Sequence, residues 1–263
     1  MGAGSLSQFD ALLTIGNFRM LLCPSKVGFV IALDGEYAAW NRGFASCPDV
    51  RGERELPLVR RAVGAQAAAA ATNELIAAGI ELIVSFGVAG GLREDLQCGT
   101  LVTATSVLWN GESFATDGPI SQLLALRCAD TMTVQQGTVV GAEQIVCTAK
   151  EKLALGMRFD AVAVDQESGA IAQAANAAGR SSCVLRVVTD VASENLPPGV
   201  ANWTNAAGRP RYARLVRDIV RTPALCLRLV KLANDFDLAL RSLNNVAGVV
   251  AGLTAPQRIV ACV

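Results

Sequence analysis

Residues 61–92 read RAVGAQAAAAATNELIAAGIELIVSFGVAGGL, and this stretch decides the class of the fold. Its first part, 61–79, is rich in Ala, Leu, Glu and Gln and stops at Gly79, which predicts a helix closed by a C′ glycine. Residues 80–86 form a short apolar run that predicts a buried strand. A similar apolar run at 27–33 precedes the helix, so the three segments predict a βαβ unit with a parallel sheet.

The same alternation continues along the chain. Apolar runs predict strands at 99–108, 138–146 (interrupted by a turn), 159–164 and 184–188, and an Ala-rich segment predicts a helix at 168–179. The pattern predicts one α/β domain over 26–205, with three layers (α/β/α) and a central mixed, mostly parallel sheet. Residues 1–25 are expected to be an N-terminal extension. Residues 206–263 are expected to be a basic amphipathic helical tail.

The amino-acid composition limits the kinds of function and catalysis that the chain can have. The 263 residues include 23 basic and 23 acidic side chains, a balance that argues against a nucleic-acid-binding surface as the main function. There is no histidine, which excludes histidine-based triads and metal sites and leaves proton transfer to carboxylates, Lys, Tyr, Cys or held water. Eight cysteines without a CxxC pair indicate reduced thiols. With neither a signal peptide nor an apolar run of about 18 residues, a cytoplasmic protein is expected, at most peripheral to a membrane.

Glycines follow the strand at 80–86. Residues 87–91 (GVAGG) match neither the GxGxxG nor the Walker pattern, so a dinucleotide-binding site or a P-loop is poorly supported. Glycines here allow backbone N–H groups to approach a ligand closely, and a tight structural turn explains them equally well.

Acidic residues follow three of the predicted strands. Asp34 and Glu36 come after the first, Asp165-Gln166-Glu167 after the one at 159–164, and Asp190 after the one at 184–188. Ligands of open α/β sheets bind at the carboxyl ends of strands, which favours a site there. Each motif also has a plainer explanation: an exposed loop acid for Glu36, an acidic helix N-terminus for 165–167, and an N-cap for Asp190.

Taken together, four segments resemble the nucleoside phosphorylase and nucleosidase superfamily: VGFVIALDGE (27–36), FGVAGGL (86–92), VDQESGAIA (164–172) and RVVTDVA (186–192). The chain is most similar to bacterial hopanoid-associated phosphorylases, also described as adenosylhopane nucleosidases, and this narrower resemblance extends into 203–246. It implies cleavage of the N-glycosidic bond of an adenine nucleoside in hopanoid biosynthesis, with release of adenine.

The resemblance also implies a role for each site residue. Asp190 protonates purine N7, Glu36 orients or deprotonates a nucleophilic water, and Glu167 binds the ribose hydroxyls. The remaining substrate-binding positions are Val88, Ala89, Gly90, Gln166 and Ile145. No metal and no cofactor are implied, and the carboxylates suit a reaction with an oxocarbenium-like transition state.

Two departures from the family concern the nucleophile. Relatives carry Met at the position of Gln166, and phosphate-using relatives carry Arg and Ser where this chain has Ser85 and Val88. Loss of that Arg favours water, because Ser does not replace a bidentate grip on phosphate. Phosphorolysis with inorganic phosphate as co-substrate stays open, since Arg60, Arg61 or Arg93 could supply the charge. A non-catalytic nucleoside- or lipid-binding protein is the third alternative.

The basic segment 209–247 alternates with leucines and valines at helical spacing, and Pro223 divides it into two predicted amphipathic helices. Basic amphipathic helices suit an anionic lipid surface, where a nucleoside with a lipid 5′ group would reside. Packing on the core, or formation of the expected homo-oligomer, explains the same pattern equally well.

Overall fold

The computed structural model describes residues 24–47, 56–197, 199–200, 203, 217–218, 222 and 225–254. Eight strands in these residues form one sheet: β1 (Val27–Ile31), β2 (Leu58–Arg61), β3 (Leu82–Gly91), β4 (Leu101–Trp109), β5 (Glu112–Ala115), β6 (Val134–Gly141), β7 (Ala161–Asp165) and β8 (Ser181–Asp190). The α-helices described are α1 (Asp34–Ser46), α2 (Ala65–Ala77), α3 (Gly118–Ala129), α4 (Ala149–Phe159), α5 (Ser168–Ala177) and α6 (Leu225–Thr254).

The sheet is mixed and mostly parallel, as predicted. Its path runs β2-β1-β3-β7-β6-β4-β5, and β8 pairs with both β3 and β4. Strands β1, β2, β3 and β8 run parallel to their partners in that part of the sheet, and β6 runs parallel to β4 and β7. The antiparallel pairs are β3 with β7, β4 with β5 and β4 with β8.

Helices cover both faces of the sheet and create two main apolar layers. On one face α1, α3 and α6 pack against the strands around Phe29, Phe86 and Leu185. On the other face α2 and α5 pack against each other and the strands through Leu75 and Ile171. This confirms the predicted three-layer α/β/α fold.

Several predicted boundaries were wrong. Residues 87–91, expected to follow the strand, instead continue β3 to Gly91, because 87–90 pair with β8 and Gly91 pairs with β7. The strand expected at 138–146 begins at Val134 and ends at Gly141. Helix α2 begins at Ala65 rather than residue 61, since 58–61 form edge strand β2. Glycines 79 and 179 have φ of +86° and +63°, as expected for residues that end helices.

The C-terminal segment differs from its prediction in length, and the second half of its helix packs on the core, as one of the two explanations expected. Helix α6 is a single helix that continues to Thr254, beyond residue 247, and Leu243, Val246 and Val250 are buried in the core with α1. Gly43 of α1 permits this close contact, because a Cβ there would lie 2.2 Å from the carbonyl oxygen of Asn244. The first predicted helix falls largely outside the described residues. In the part of the chain that the structure describes, no helix is long and apolar enough to span a membrane.

Candidate functional site

Glu36 is a buried carboxylate in the first turn of α1. It is 1% exposed, and its Oε2 accepts hydrogen bonds from the backbone amides of Ala32 (3.1 Å) and Leu33 (2.8 Å). Its Oε1 accepts a hydrogen bond from the Val88 amide of β3 at 2.8 Å. Burial raises the pKa of Glu36, although Arg186 and these amides favour the charged form. The expectation of an exposed loop acid is therefore wrong, because the side chain turns inward across β3.

The guanidinium of Arg186 occupies the centre of the cluster. Arg186 lies on β8 and is 1% exposed; its Nε is 2.8 Å from Asp165 Oδ2, and its Nη2 is 3.2 Å from Glu167 Oε2. Nη2 also donates to Ser85 Oγ at 2.8 Å, and Nη1 donates to the Val88 carbonyl at 3.3 Å. A buried cation is costly unless it is paired and hydrogen-bonded, and Arg186 meets both conditions.

Gly87 is the residue that lets the two sides of this cluster meet. A Cβ at this position would lie 2.4 Å from Arg186 Nη1 and 2.5 Å from Glu36 Oε1. The absence of a side chain thus places the carboxylate and the guanidinium against the same point of β3. This is a close-approach requirement rather than a turn, since Gly87 lies within the strand.

Asp165 and Glu167, which belong to the same acidic motif in the sequence, make different contacts in the structure. Asp165 Oδ1 accepts from the amides of Glu167 (3.1 Å) and Ser168 (2.8 Å) at the start of α5, so Asp165 is the helix-capping acid. Glu167 faces the cluster: its Oε1 accepts from the Gly64 amide at 3.0 Å, and its Oε2 meets Arg186. Burial raises the pKa of Glu167 to about 7, although Arg186 opposes the shift. The helix N-terminus explanation therefore holds for Asp165, and ribose binding by Glu167 stays a prediction.

Asp190 is the last residue of β8 and is 8% exposed. Its Oδ1 accepts a hydrogen bond from Thr189 Oγ1 at 2.8 Å, and its Oδ2 forms an ion pair with Lys152 Nζ of α4. Oδ2 nevertheless accepts no hydrogen bond of regular geometry from the described part of the chain. The N-cap explanation for Asp190 is wrong, because residues 191–197 form turns and irregular backbone instead of a helix.

The end of β3 separates the two acidic groups. A Cβ at Gly87 would point at Glu36 and Arg186, whereas a Cβ at Gly90 would point at Asp190 Oδ2, 3.2 Å away. The two positions are three residues apart on β3, and the register of β3 with β8 shifts between them, at Ala89 and Gly90. Their separation along β3 is about 10 Å at the usual rise per residue. Glu36 and Glu167 therefore lie with Arg186 beside Gly87, and Asp190 lies beside Gly90 at the end of the strand.

The other predicted positions lie around this strand end. Val88 and Gly90 are partly exposed, and Ala89 is buried with its carbonyl accepting from Thr189 Oγ1 at 3.3 Å. Gln166 donates through Nε2 to the carbonyl of Glu143 at 2.9 Å, which ties the end of β7 to the segment after β6. Ile145 lies in that segment and is partly exposed.

The three arginines considered for phosphate binding are engaged elsewhere. Arg60 pairs with Glu74, Arg61 with Asp34, and Arg93 with Asp95. Arg186 is surrounded by carboxylates. In the ranges that the structure describes, no group of three or more Cys, Asp or Glu side chains is arranged to hold a metal ion.

Sequence reasoning missed two residues of the site. Arg186 stood within a recognised segment without a role, and a basic residue inside a strand otherwise made of apolar residues was the available signal. Lys152 had no such signal, because on α4 it looks like a neighbour of Lys150 and Glu151, which are exposed. Only the packing of α4 shows that Lys152 is fully buried.

Similar proteins place the chain in a family. The sequence profile of the phosphorylase superfamily matches residues 49–222, more than half of the chain. An aminodeoxyfutalosine nucleosidase of Helicobacter pylori strain J99 is 27% identical over 141 residues, 47% of this chain and 61% of that protein, so the chain covers less than two thirds of this relative. Futalosine hydrolase of Helicobacter pylori strain 26695 has the same fold, with a TM-score of 0.60, 19% identity and coverage of 87% of this chain and 96% of that one. A 5′-methylthioadenosine/S-adenosylhomocysteine nucleosidase of Neisseria meningitidis also has a TM-score of 0.60, with 22% identity and 87% and 98% coverage. On the extent of the profile match, the chain belongs to the phosphorylase superfamily.

Proposed function

We propose that the protein hydrolyses the N-glycosidic bond of an adenine nucleoside and releases adenine. The observation that carries this proposal is the placement of three buried carboxylates about the end of β3: Glu36 and Glu167 beside Arg186, and Asp190 beside Gly90. Relatives with this fold are nucleosidases by name, which agrees with the assignment.

A nucleoside laid across the strand end would have its base on the Asp190 side and its sugar on the Glu167 side. Asp190 would give a proton to N7, so that adenine leaves as a neutral molecule. Glu167 would accept hydrogen bonds from the ribose hydroxyls, since an ionised carboxylate has acceptor capacity for both. Glu36 would take a proton from the attacking water as the oxocarbenium-like centre collapses.

Water is the nucleophile favoured by the charges. Phosphate would need a free guanidinium or ammonium group, and Arg60, Arg61 and Arg93 are each paired with a carboxylate. Arg186 shares its donors among Asp165, Glu167 and Ser85, and Glu36 lies against it. A phosphate dianion bound there would therefore be repelled by the neighbouring carboxylates. These contacts support hydrolysis over phosphorolysis.

We propose further that the 5′ group of the substrate is a lipid, as in adenosylhopane, and that the enzyme meets it at a membrane surface. The first half of α6 supports this proposal, because Leu227 and Val230 are 80% and 59% exposed beside the exposed Arg228. An amphipathic basic face of this kind suits anionic lipid. Co-sedimentation with anionic vesicles tests the contact, and binding unchanged by Leu227→Ser with Val230→Ser would contradict it.

One assay tests the chemistry. The purified protein is incubated with adenosylhopane, methylthioadenosine or aminodeoxyfutalosine, with and without phosphate, and free adenine is measured. In ¹⁸O-labelled water, hydrolysis puts the label on C1 of the sugar, whereas phosphorolysis gives an unlabelled sugar 1-phosphate. We expect phosphate-independent adenine release that Asp190→Asn abolishes. No release from any of the three nucleosides would contradict the proposed reaction.

A further inference from the structure

Lys152 is a fully buried ammonium group that the proposed reaction has not used. Its Nζ pairs with Asp190 Oδ2 and donates to the carbonyls of Val191 and Glu194, both at 3.1 Å. Burying a cation is unfavourable, and an apolar side chain of the same length would fill the space at less cost. The position of this charge, against the acid of the proposed site, therefore points to the chemistry of Asp190.

The packing of α4 fixes where this ammonium group lies. Lys152 and Gly156 are the buried residues of α4 and are one turn apart on the same face. A Cβ at Gly156 would lie 2.5 Å from the carbonyl oxygen of Leu92, which directly follows β3. The glycine lets the helix approach the end of β3 closely, and this approach brings Lys152 to Asp190.

The ion pair between Lys152 and Asp190 determines which group carries the proton that the leaving base needs. A carboxylate paired with an ammonium group carries no proton of its own to give to a base. The pair as a whole does carry one, on Lys152. Asp190 Oδ1 accepts a hydrogen bond from Thr189, so Oδ2 is the oxygen that both pairs with Lys152 and faces the end of β3 at Gly90.

We propose that Lys152 holds Asp190 in place and supplies the proton that Asp190 passes to the leaving adenine. This inference rests on the proposed function. A proton moves from Lys152 Nζ to Asp190 Oδ2 and on to N7, while the bond between C1′ and N9 breaks with its electron pair going to the base. Water adds to C1′ and gives its proton to Glu36. Afterwards Glu36 releases that proton to solvent, and Lys152 takes one up.

The contacts of Lys152 suit both of its charge states. The ammonium group donates two of its hydrogens to carbonyls and forms an ion pair with the carboxylate of Asp190. The neutral amine keeps two hydrogens, enough for the Val191 and Glu194 carbonyls. Loss of the proton to Asp190 thus leaves neither carbonyl without its donor. Lys152 acts only through Asp190 and is a positioning residue in this sense.

The test uses the full-length protein and two substrates with the same 5′ group. One is the adenine nucleoside, and the other is a 4-nitrophenyl riboside, whose leaving group departs without a proton on a ring nitrogen. We expect Lys152→Met to lower kcat for the adenine nucleoside on the order of 100-fold with little change in KM, and to lower kcat for the nitrophenyl riboside less than about 10-fold. Lys150→Met, at an exposed position of α4, is the matched control.

Two further variants separate proton supply from charge. Lys152→Arg keeps a cation that does not release its proton, and Lys152→Gln keeps N–H donors and remains informative where the Met variant does not fold. Both are expected to show the same selective loss. Restoration of adenine release by Arg, or an equal loss on both substrates, would overturn the proposal for Lys152 alone. A wild-type protein inactive on both substrates would instead overturn the proposed function, and this inference with it.

Discussion

Glu36 Oε1 accepts a hydrogen bond from the amide of Val88 at 2.8 Å, which joins the first turn of α1 to the middle of β3. This hydrogen bond holds the carboxylate of Glu36 over β3, next to Arg186. A carboxylate held by three backbone amides is fixed in orientation before any ligand binds. Such fixed placement is what a group that activates water requires.

Replacement of Glu36 by Gln is expected to remove the base while keeping most of the contacts. The kcat for adenine release should fall between about 100-fold and about 10,000-fold, the range typical for loss of a general base. Glu74→Gln, at an exposed ion pair on α2, is the control and should leave kcat unchanged. Steady-state kinetics on both variants provides the measurement, and wild-type activity in Glu36→Gln would contradict the assigned role.

Activity should be lost on the acid side of the pH profile with a midpoint at an unusually high pH. Burial raises the pKa of Glu36 and brings that of Glu167 to about 7, and both groups are proposed to act in their ionised forms. We therefore expect kcat/KM to fall as the pH drops below about 7, since protonation of either group removes a needed acceptor. Rates measured between about pH 5 and about pH 9 provide the check. An acid midpoint near the ordinary value of 4.5 would contradict it.

The same burial should make the folded protein less stable as the pH rises. A carboxyl whose pKa is higher in the folded state contributes stability that is fully present below its unfolded value of 4.5. That contribution is lost as the pH increases through about 7. For Glu167 the loss is at most about 3 to 4 kcal/mol, at about 1.4 kcal/mol per unit of pKa difference. Urea unfolding at about pH 5 and about pH 8 should show a smaller difference in Glu167→Gln than in the wild type.

How α4 approaches β3 can be tested with two helical glycines. Gly156→Ala should destabilise the protein by about 1 to 3 kcal/mol, because its Cβ would meet the Leu92 carbonyl at 2.5 Å. Gly252→Ala, in α6 with no atom within 4 Å of its Cβ, should be neutral or stabilise by up to about 1 kcal/mol. Thermal unfolding of both variants tests the difference. Equal effects would mean that α4 does not depend on the close contact.

The place of α6 in the core predicts a contrast between two of its leucines. Leu243 is fully buried against α1, and Leu243→Ala should cost about 2 to 5 kcal/mol. Leu238 is 46% exposed, and Leu238→Ala should cost well under about 1 kcal/mol. Denaturant unfolding compares the two. A small effect at Leu243 would show that α6 packs less firmly than the described contacts imply.

The sequence allowed the strands and the acids at their ends to be predicted because both follow local rules. Apolar runs at 159–164 and 184–188, followed by Glu167 and Asp190, indicated buried strands with polar groups at the carboxyl edge. Lys152, the partner of Asp190, could not be predicted in this way, because its burial depends on which face of α4 packs against the rest of the protein. Likewise, the glycine-rich segment 87–91 was placed after the strand rather than in it, because its strand character comes from pairing with β8. Local sequence pattern therefore predicts the strands and the acids that follow them. Which side chains come into contact depends on how distant elements pack, and the local pattern does not show this.

Gly87 lies where a guanidinium and a carboxylate converge on a single backbone atom, and even a methyl group there would lie closer than 3 Å to both. This position therefore offers a diagnostic for sorting superfamily sequences. A chain with alanine or a larger residue at the equivalent position cannot hold Arg186 and Glu36 as they lie here without shifting one of them. Glycine at 87 marks chains able to build this buried charge cluster, whatever nucleoside they accept.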